Sequence, residues 1–396
     1  MREILLLLLP LVFFAGWRAS RKKLIRNQKK QQQLSGHFVK GVNFLLSEEP
    51  DKALEVFLNY PDIDEYTAET FQLLGDSFRN RGEVERALRV HQNLIARTNL
   101  NSKQKQKAMF SLGEDFYAAG MLDRAESVFQ ELLANNQSNK HISKAAVCSS
   151  LRTIYEQTQE WQKAIDATDC YTKSNKKGNS KAANVNSQSL IAHYYCELAD
   201  EALQQGKLND VEALITKVKG VYKQSTRLIT LQGDVEFHQK KYKPALKKYL
   251  SAIKSDSRLL SMLFGKAEES AVAINDLALL QTELLSFYKK KKDKTIYEKL
   301  LILAKKYGSS KAIDHLIEAE LPKEKLNIES IYNTADYIKS HSENINAEKG
   351  LDLVNQSLFN YLKGVPAFCC EHCGYKMHDY LWRCPACQEW DTIDHA

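Results

Sequence analysis

Small residues recur along this chain at a fixed interval, and that interval restricts the possible fold more than any other feature. Gly41 and Ala53, Gly75 and Ala87, Gly113 and Ala125, and Gly233 and Ala245 each stand twelve residues apart, and the first two pairs are offset by 34. Small side chains at both places let two helices approach closely. Aromatic residues recur around them: Phe44, Phe78 and Phe116 fall three residues after the glycine, and Phe57, Phe129 and Tyr249 four after the alanine. Stretches 73–95 and 111–133 carry the i, i+3, i+4 apolar recurrence of two amphipathic helices, with Gly82 and Gly120 at the turns between them. Self-similarity at this period predicts stacked helical hairpins that bury their apolar faces against one another.

A period of 34 residues is that of tetratricopeptide repeats, so the predicted fold class is all-α, a superhelical solenoid over 35–363 with its best register in 35–174 and 225–255. The pattern weakens elsewhere. Stretch 143–174 keeps Tyr155, Trp161 and Ala164 but has Arg152 in place of the glycine, and 186–220 keeps only Ala199. The polar run Ser174 to Asn184 reads as a loop that interrupts the stack, 258–320 as helical hairpins in weak register, and 322–363 as helix. Stacked hairpins create a concave surface that recognises peptides or folded proteins. In the second and third units the register places Glu69, Gln72, Asp76, Arg79 and Asn80, then Lys107, Phe110, Glu114 and Tyr117, on that surface, with Phe110 and Tyr117 equally suited to packing between repeats.

The chain closes, over 364–396, on a different chemistry. Cys370 and Cys373, then Cys384 and Cys387, form two CxxC pairs separated by Gly374 to Arg383. Four thiolates at this spacing fill a tetrahedral zinc or iron site and leave no open position, so the centre is expected to be structural. Gly374 permits a tight turn after the first pair, Pro385 stiffens the second, and the aromatic segment between them suits a two-stranded hairpin. So small a module needs the metal, plus packing of Trp382 and Trp390 on something larger. Cys369, His372 and His378 read as bystanders, and Cys148, Cys170 and Cys196 as buried apolar filler.

The opposite end predicts a membrane anchor over 1–20. Ile4 to Trp17 is uncharged and apolar, and the following linker, 21–34, continues a collar of seven basic residues from Arg18 to Lys30 that contains no acid. At ~1.5 Å per residue the apolar run falls short of a ~30 Å hydrocarbon core, so spanning calls on snorkelling flanks or a thinned bilayer. Basic residues after the apolar run reverse the charge order of a cleavable signal and keep the bulk of the chain in the cytoplasm. A reducing cytosol favours metal over disulfides.

The net charge of +7 equals the excess in that collar, so the remainder is neutral. Nucleic-acid binding loses its electrostatic support, and Lys289 to Lys292 reads as a solvated helix end. There is no Gly-rich phosphate loop, no HExxH and no G-x-S-x-G, which argues against an enzyme.

The segments AGWRASRKK, GVNFLLSEEPDKALEVF, RNRGEVERALRVHQ, AAGMLDRAE, EWQKAID and IAHYYCELA, closed by CEHCG and LWRCPACQEW, resemble the lipopolysaccharide assembly protein B family of Gram-negative bacteria over essentially the whole chain, least between 258 and 363. The resemblance implies a single-pass inner-membrane adaptor whose repeats and rubredoxin-like domain face the cytoplasm. It implies as partners the membrane AAA+ protease, the deacetylase of the lipid A pathway that it degrades, and other lipopolysaccharide assembly proteins of the inner membrane. It also carries over one zinc or iron ion on Cys370, Cys373, Cys384 and Cys387. A generic envelope-assembly scaffold, a rubredoxin-like electron carrier and a homodimer remain alternatives.

Overall fold

A computed structural model describes residues 41, 44, 50–59, 65–98, 100–135, 142–175, 181–223, 225–308, 331–333, 335–336, 358–359, 361–362 and 365–396. The chain divides into two compact units, Met1–Asn179 and Ser180–Ala396. In the first, the helices are α1 (Pro50–Leu58), α2 (Glu65–Asn80), α3 (Val84–Ala96), α4 (Ser102–Ala118), α5 (Leu122–Asn135), α6 (Lys144–Gln157) and α7 (Trp161–Ser174). In the second they are α8 (Lys181–Gln204), α9 (Leu208–Val221), α10 (Thr226–His238), α11 (Tyr242–Ser255), α12 (Leu260–Ala273), α13 (Leu277–Lys291) and α14 (Lys294–Tyr307). Within each unit consecutive helices pack as hairpins, and each hairpin packs on the next.

The recurring glycines now have a physical reason. A Cβ on Gly113 would come within 2.7 Å of the Phe129 ring, one on Gly233 within 2.7 Å of Tyr249, and one on Gly75 within 2.5 Å of His91. Each ring stands sixteen residues after its glycine and reaches across the hairpin. Hairpins that lack the glycine also lack the ring. Sixteen residues after Arg152 stands the buried Thr168, and sixteen after Ala199 the buried Ile215. The weakened repeats therefore lose the glycine and the ring together, with Thr168 or Ile215 in place of the ring. Gly113→Ala is expected to lower stability by about 1–3 kcal/mol, the usual range for overpacking. Urea unfolding followed by circular dichroism would measure it, and an unchanged midpoint would contradict the packing account.

The turns follow the same economy. Gly82 and Gly120 take φ of +79° and +73°, whereas other hairpins put Gln159, Lys240 and Asn275 into this left-handed region. The expected loop to Asn184 is shorter than predicted, because α8 already begins at Lys181. Lys181, Ala182 and Ala183 favour helix, and that propensity outweighs the polar character of the run. Lys289, Lys290 and Lys291 form the exposed last turn of α13. There they complement the negative end of the helix dipole.

Two cysteine expectations need correction. Cys148 on α6 and Cys170 on α7 are not separate filler: the hairpin brings their Cα atoms to 6.0 Å and they form a disulfide. Cys196 remains free, and burial pushes its thiol up to about 12, which makes it inert.

Among the described residues no helix is long and apolar enough to cross a membrane. The anchor expected at Ile4 to Trp17 and the linker after it lie outside the described residues, as does most of 322–363.

The carboxyl-terminal module is a three-stranded antiparallel sheet, β1 (Phe368–Cys370), β2 (Lys376–Met377) and β3 (Ile393–His395), in the order β2-β1-β3. Phe368 faces Met377 on one side and His395 on the other. This corrects the hairpin expected between the cysteine pairs. The segment holds only one strand, β2, which pairs with β1 across the first cysteine turn; around the second pair the backbone closes through its own turn and the isolated bridge between Arg383 and Trp390.

Candidate functional site

Both cysteine pairs sit in the same backbone turn. Cys370 donates its N–H to the Tyr375 carbonyl at 2.9 Å and its carbonyl accepts from Gly374 N–H at 2.8 Å; Cys384 pairs in the same way with Glu389 and Gln388, at 2.9 Å each. The fourth residue after the leading cysteine has positive φ in both turns, Gly374 at +74° and Gln388 at +62°. The turns aim four sulfurs at one point. All four Sγ atoms lie within 4.8 Å of one another, and the pairs Cys370/Cys387 and Cys373/Cys384 are 3.7 Å apart. Sulfurs at ~2.3 Å from a tetrahedral ion would be separated by about 3.8 Å, so the set fits a four-thiolate metal.

Cys370 and Cys384 are buried, while Cys373 is exposed and Cys387 half-buried. Burial opposes ionisation of Cys370, yet hydrogen bonds from the Thr392 hydroxyl and from the backbone of Cys373 and His372 bring its thiol down to about 6. Among the described residues, Cys369, His372 and His378 do not join the sulfur cluster.

The module is welded to the helices of its own unit. Phe368, Met377, Tyr380 and Ile393 share one apolar core with α11 to α14. His193 on α8 stacks on Trp390 at 4.8 Å between ring centres and holds Asp391 through Nε2 at 2.7 Å. Arg227 on α10, 4% exposed, lies over the rings of Trp382 and Trp390 at 5.6 and 5.7 Å. Its Nη2 donates to Glu197 at 2.8 Å and Asp200 at 3.0 Å. Trp382 and Trp390 thus find the larger surface that so small a module needs. His193, Arg227 and Arg258 were not singled out from sequence; the available signal was a basic side chain in the buried stripe of a helix, as with Arg227 four residues before Leu231.

Arg258 Nη1 donates to the Ile393 carbonyl at 3.2 Å, and the same guanidinium grips Asp256 at 2.8 to 3.2 Å. Burial alone would raise the Asp256 carboxyl, but hydrogen bonds and charge from Arg258 outweigh it and hold the group below the ordinary range. A depressed carboxyl contributes stability above its unfolded pKa and loses it as pH falls through the folded value. Wild type should therefore exceed Asp256→Asn by about 1–2 kcal/mol at neutral pH, with the gap closing as the pH drops below about 4. Urea titrations of both proteins at matched metal content would check this; a gap independent of pH would contradict it.

In the first unit, the residues read as partner-facing divide in two. Glu69, Gln72 and Lys107 line a cavity of about 240 Å³ beside Leu73, which is 69% exposed. Asn80 is exposed at the end of α2. Of the others, Asp76, Arg79, Glu114 and Tyr117 reach the next hairpin, while Phe110 packs within its own. Arg79 bridges Asp76 and Asp115 at 2.7 Å each, and Asp115 also meets His91 Nδ1 at 2.5 Å. Glu114 accepts from the Ser150 hydroxyl at 2.7 Å, Tyr117 accepts from Gln157 at 2.7 Å, and Phe110 packs edge-on against Phe129 at 5.5 Å.

Two family models match the chain: a rubredoxin metal binding domain over residues 368–395 and a tetratricopeptide repeat over 70–104. Lipopolysaccharide assembly protein B of Escherichia coli strain K12 is 30% identical over 399 residues, covering 99% of this chain and 98% of that protein. The chain belongs to the lipopolysaccharide assembly protein B family. The Haemophilus influenzae member is 26% identical over 402 residues, with 99% and 98% covered. Among solved structures, a tetratricopeptide repeat protein from Parabacteroides merdae aligns with a TM-score of 0.33 at 13% identity, over 73% of this chain and 98% of that one, a likeness too loose to argue from. Membership accounts for both parts of the architecture, the tetratricopeptide helices and the four-cysteine module.

Proposed function

We propose that this member of the family is a non-enzymatic adaptor, anchored in the inner membrane by residues 1–20 with its bulk in the cytoplasm. It promotes degradation of the lipid A pathway deacetylase by the membrane AAA+ protease and works beside other inner-membrane lipopolysaccharide assembly proteins. Cys370, Cys373, Cys384 and Cys387 hold one zinc or iron ion as a structural clamp. The observation that carries this reading is the docking of the module through Arg227, Trp382 and Trp390, which spends the metal centre on packing. A closed four-sulfur site offers no coordination position to a substrate. Glu69, Gln72, Asp76, Arg79, Asn80, Lys107, Phe110, Glu114 and Tyr117 form the partner-facing region of the first unit, with Glu69, Gln72 and Lys107 around a cavity as the contact points.

An anchor shared with the protease confines both proteins to one membrane plane and raises their effective concentration. Depletion of the protein followed by pulse-chase of the deacetylase tests the reading. A lengthened half-life is expected, and an unchanged one would overturn it. With this placement the reducing cytoplasm is expected to open the bridge between Cys148 and Cys170 in the cell. Alkylation of acid-quenched cells should modify both after unfolding without a reductant. A bridge that needs reduction first would place that unit on the oxidising side.

A further inference from the structure

The second unit contains a cavity of about 420 Å³ between α8, α10 and α12, with Trp382 of the metal module in its wall. Its charges do not balance. Glu197 and Asp200 share a single nitrogen, Nη2 of Arg227, while Asp234 is already held by Lys266 at 2.6 Å and by the Tyr249 hydroxyl at 2.8 Å. One guanidinium thus serves two carboxylates, whose side chains remain 28% and 39% exposed and within reach from the cavity. Burial first, then the carboxylates of Glu197 and Asp234, hold the Asp200 carboxyl above its ordinary range against the pull of Arg227. The same guanidinium has an unmet need of the opposite kind: among the described residues its Nε and Nη1 find no acceptor, although Arg227 is only 4% exposed.

We propose that this cavity takes an extended peptide segment carrying a lysine or arginine. The side-chain cation would complete the pairing of Glu197 and Asp200, which a single guanidinium nitrogen now serves. Leu203, Leu231 and Met262 offer apolar walls to the methylenes of such a chain, and Trp382 an aromatic face to its charge. An acidic segment or a phosphate would meet Glu197 and Asp200 directly and be repelled. The inference rests on the adaptor reading only in taking the occupant to be a segment of a protein.

The test is direct binding to the metal-loaded full chain by fluorescence anisotropy, using eight-residue Ala/Gly/Ser peptides with one central arginine or lysine, and matched peptides with glutamine or glutamate there. Basic peptides are expected to bind at least about tenfold more tightly than neutral ones, with the preference fading at high salt. Glu197→Gln keeps an acceptor for Arg227 and should lower basic-peptide affinity about tenfold, whereas Lys266→Gln, at an exposed position, should raise it about threefold. Opposite signs from two variants separate the site from a loss of folding. Equal binding of basic and neutral peptides, tighter binding of glutamate peptides, no response to either variant, or spermidine binding as tightly as the peptides would overturn the proposal. None of these results depends on the half-life of the deacetylase, so failure here and failure of the adaptor reading are distinguishable.

Discussion

Replacing Cys384 by serine is expected to release the metal and unfold residues 365–396, while most helices of the same unit persist. Cys384 is 1% exposed and contributes to the apolar core that joins the module to α11–α14. Beyond that shared core, the module has three short strands and two turns. Binding of a structural zinc ion in such small units is worth about 10–16 kcal/mol, far more than a core of this size supplies alone. With a ligand gone, Trp382 and Trp390 should leave Arg227 and His193, shifting their fluorescence to the red, and amide protection should vanish from Phe368 to His395. The far-UV helical signal should largely remain, since the helical hairpins bury most of their apolar side chains against one another. Full protection of the module in the metal-free variant would refute the clamp.

The second large effect lies in the first unit. Asp115 is fully buried, and Arg79 reaches it across the boundary between hairpins while also binding Asp76. Gln72 adds bonds to Ser111 and to the Lys107 carbonyl, so the cluster ties α2 to α4. Arg79→Met keeps the aliphatic bulk but strips a buried carboxylate of its main cation. Removing one partner of a buried pair typically costs about 3–5 kcal/mol, so the urea midpoint of the first unit should drop sharply. Since Asp76 also loses its partner, Arg79→Met combined with Asp76→Asn should recover only part of the loss. A change below about 0.5 kcal/mol, typical of exposed positions, would contradict a structural role for Arg79.

The same cluster shows what could and could not be read from sequence. Repeat register correctly predicts helical hairpins, because small-residue spacing reports a close approach that the backbone must obey whatever surrounds it. It cannot separate Glu69 from Arg79: both belong to α2, and only the position of α4 decides that Arg79 is spent on Asp115 while Glu69 borders a cavity. The cysteine pairs were legible because a CxxC turn is a local geometry. The docking of the module was legible only as a need. Trp382 and Trp390 announced that they required a surface, but Arg227 and His193 are far away in sequence and carry no local pattern that names their partner. The disulfide went unread for the same reason, since 22 residues separate Cys148 from Cys170 and only the facing helices bring them together.

The central claim, an adaptor whose metal is structural, is tested most directly by reconstitution. The membrane protease, the deacetylase and this full chain would be placed in liposomes, and the deacetylase followed over time with the chain loaded with zinc, loaded with iron, or stripped of metal. The account predicts faster degradation with either metal, to the same extent, and none of that acceleration from the stripped chain. Degradation that is indifferent to the chain, or accelerated by the iron form alone, would contradict it.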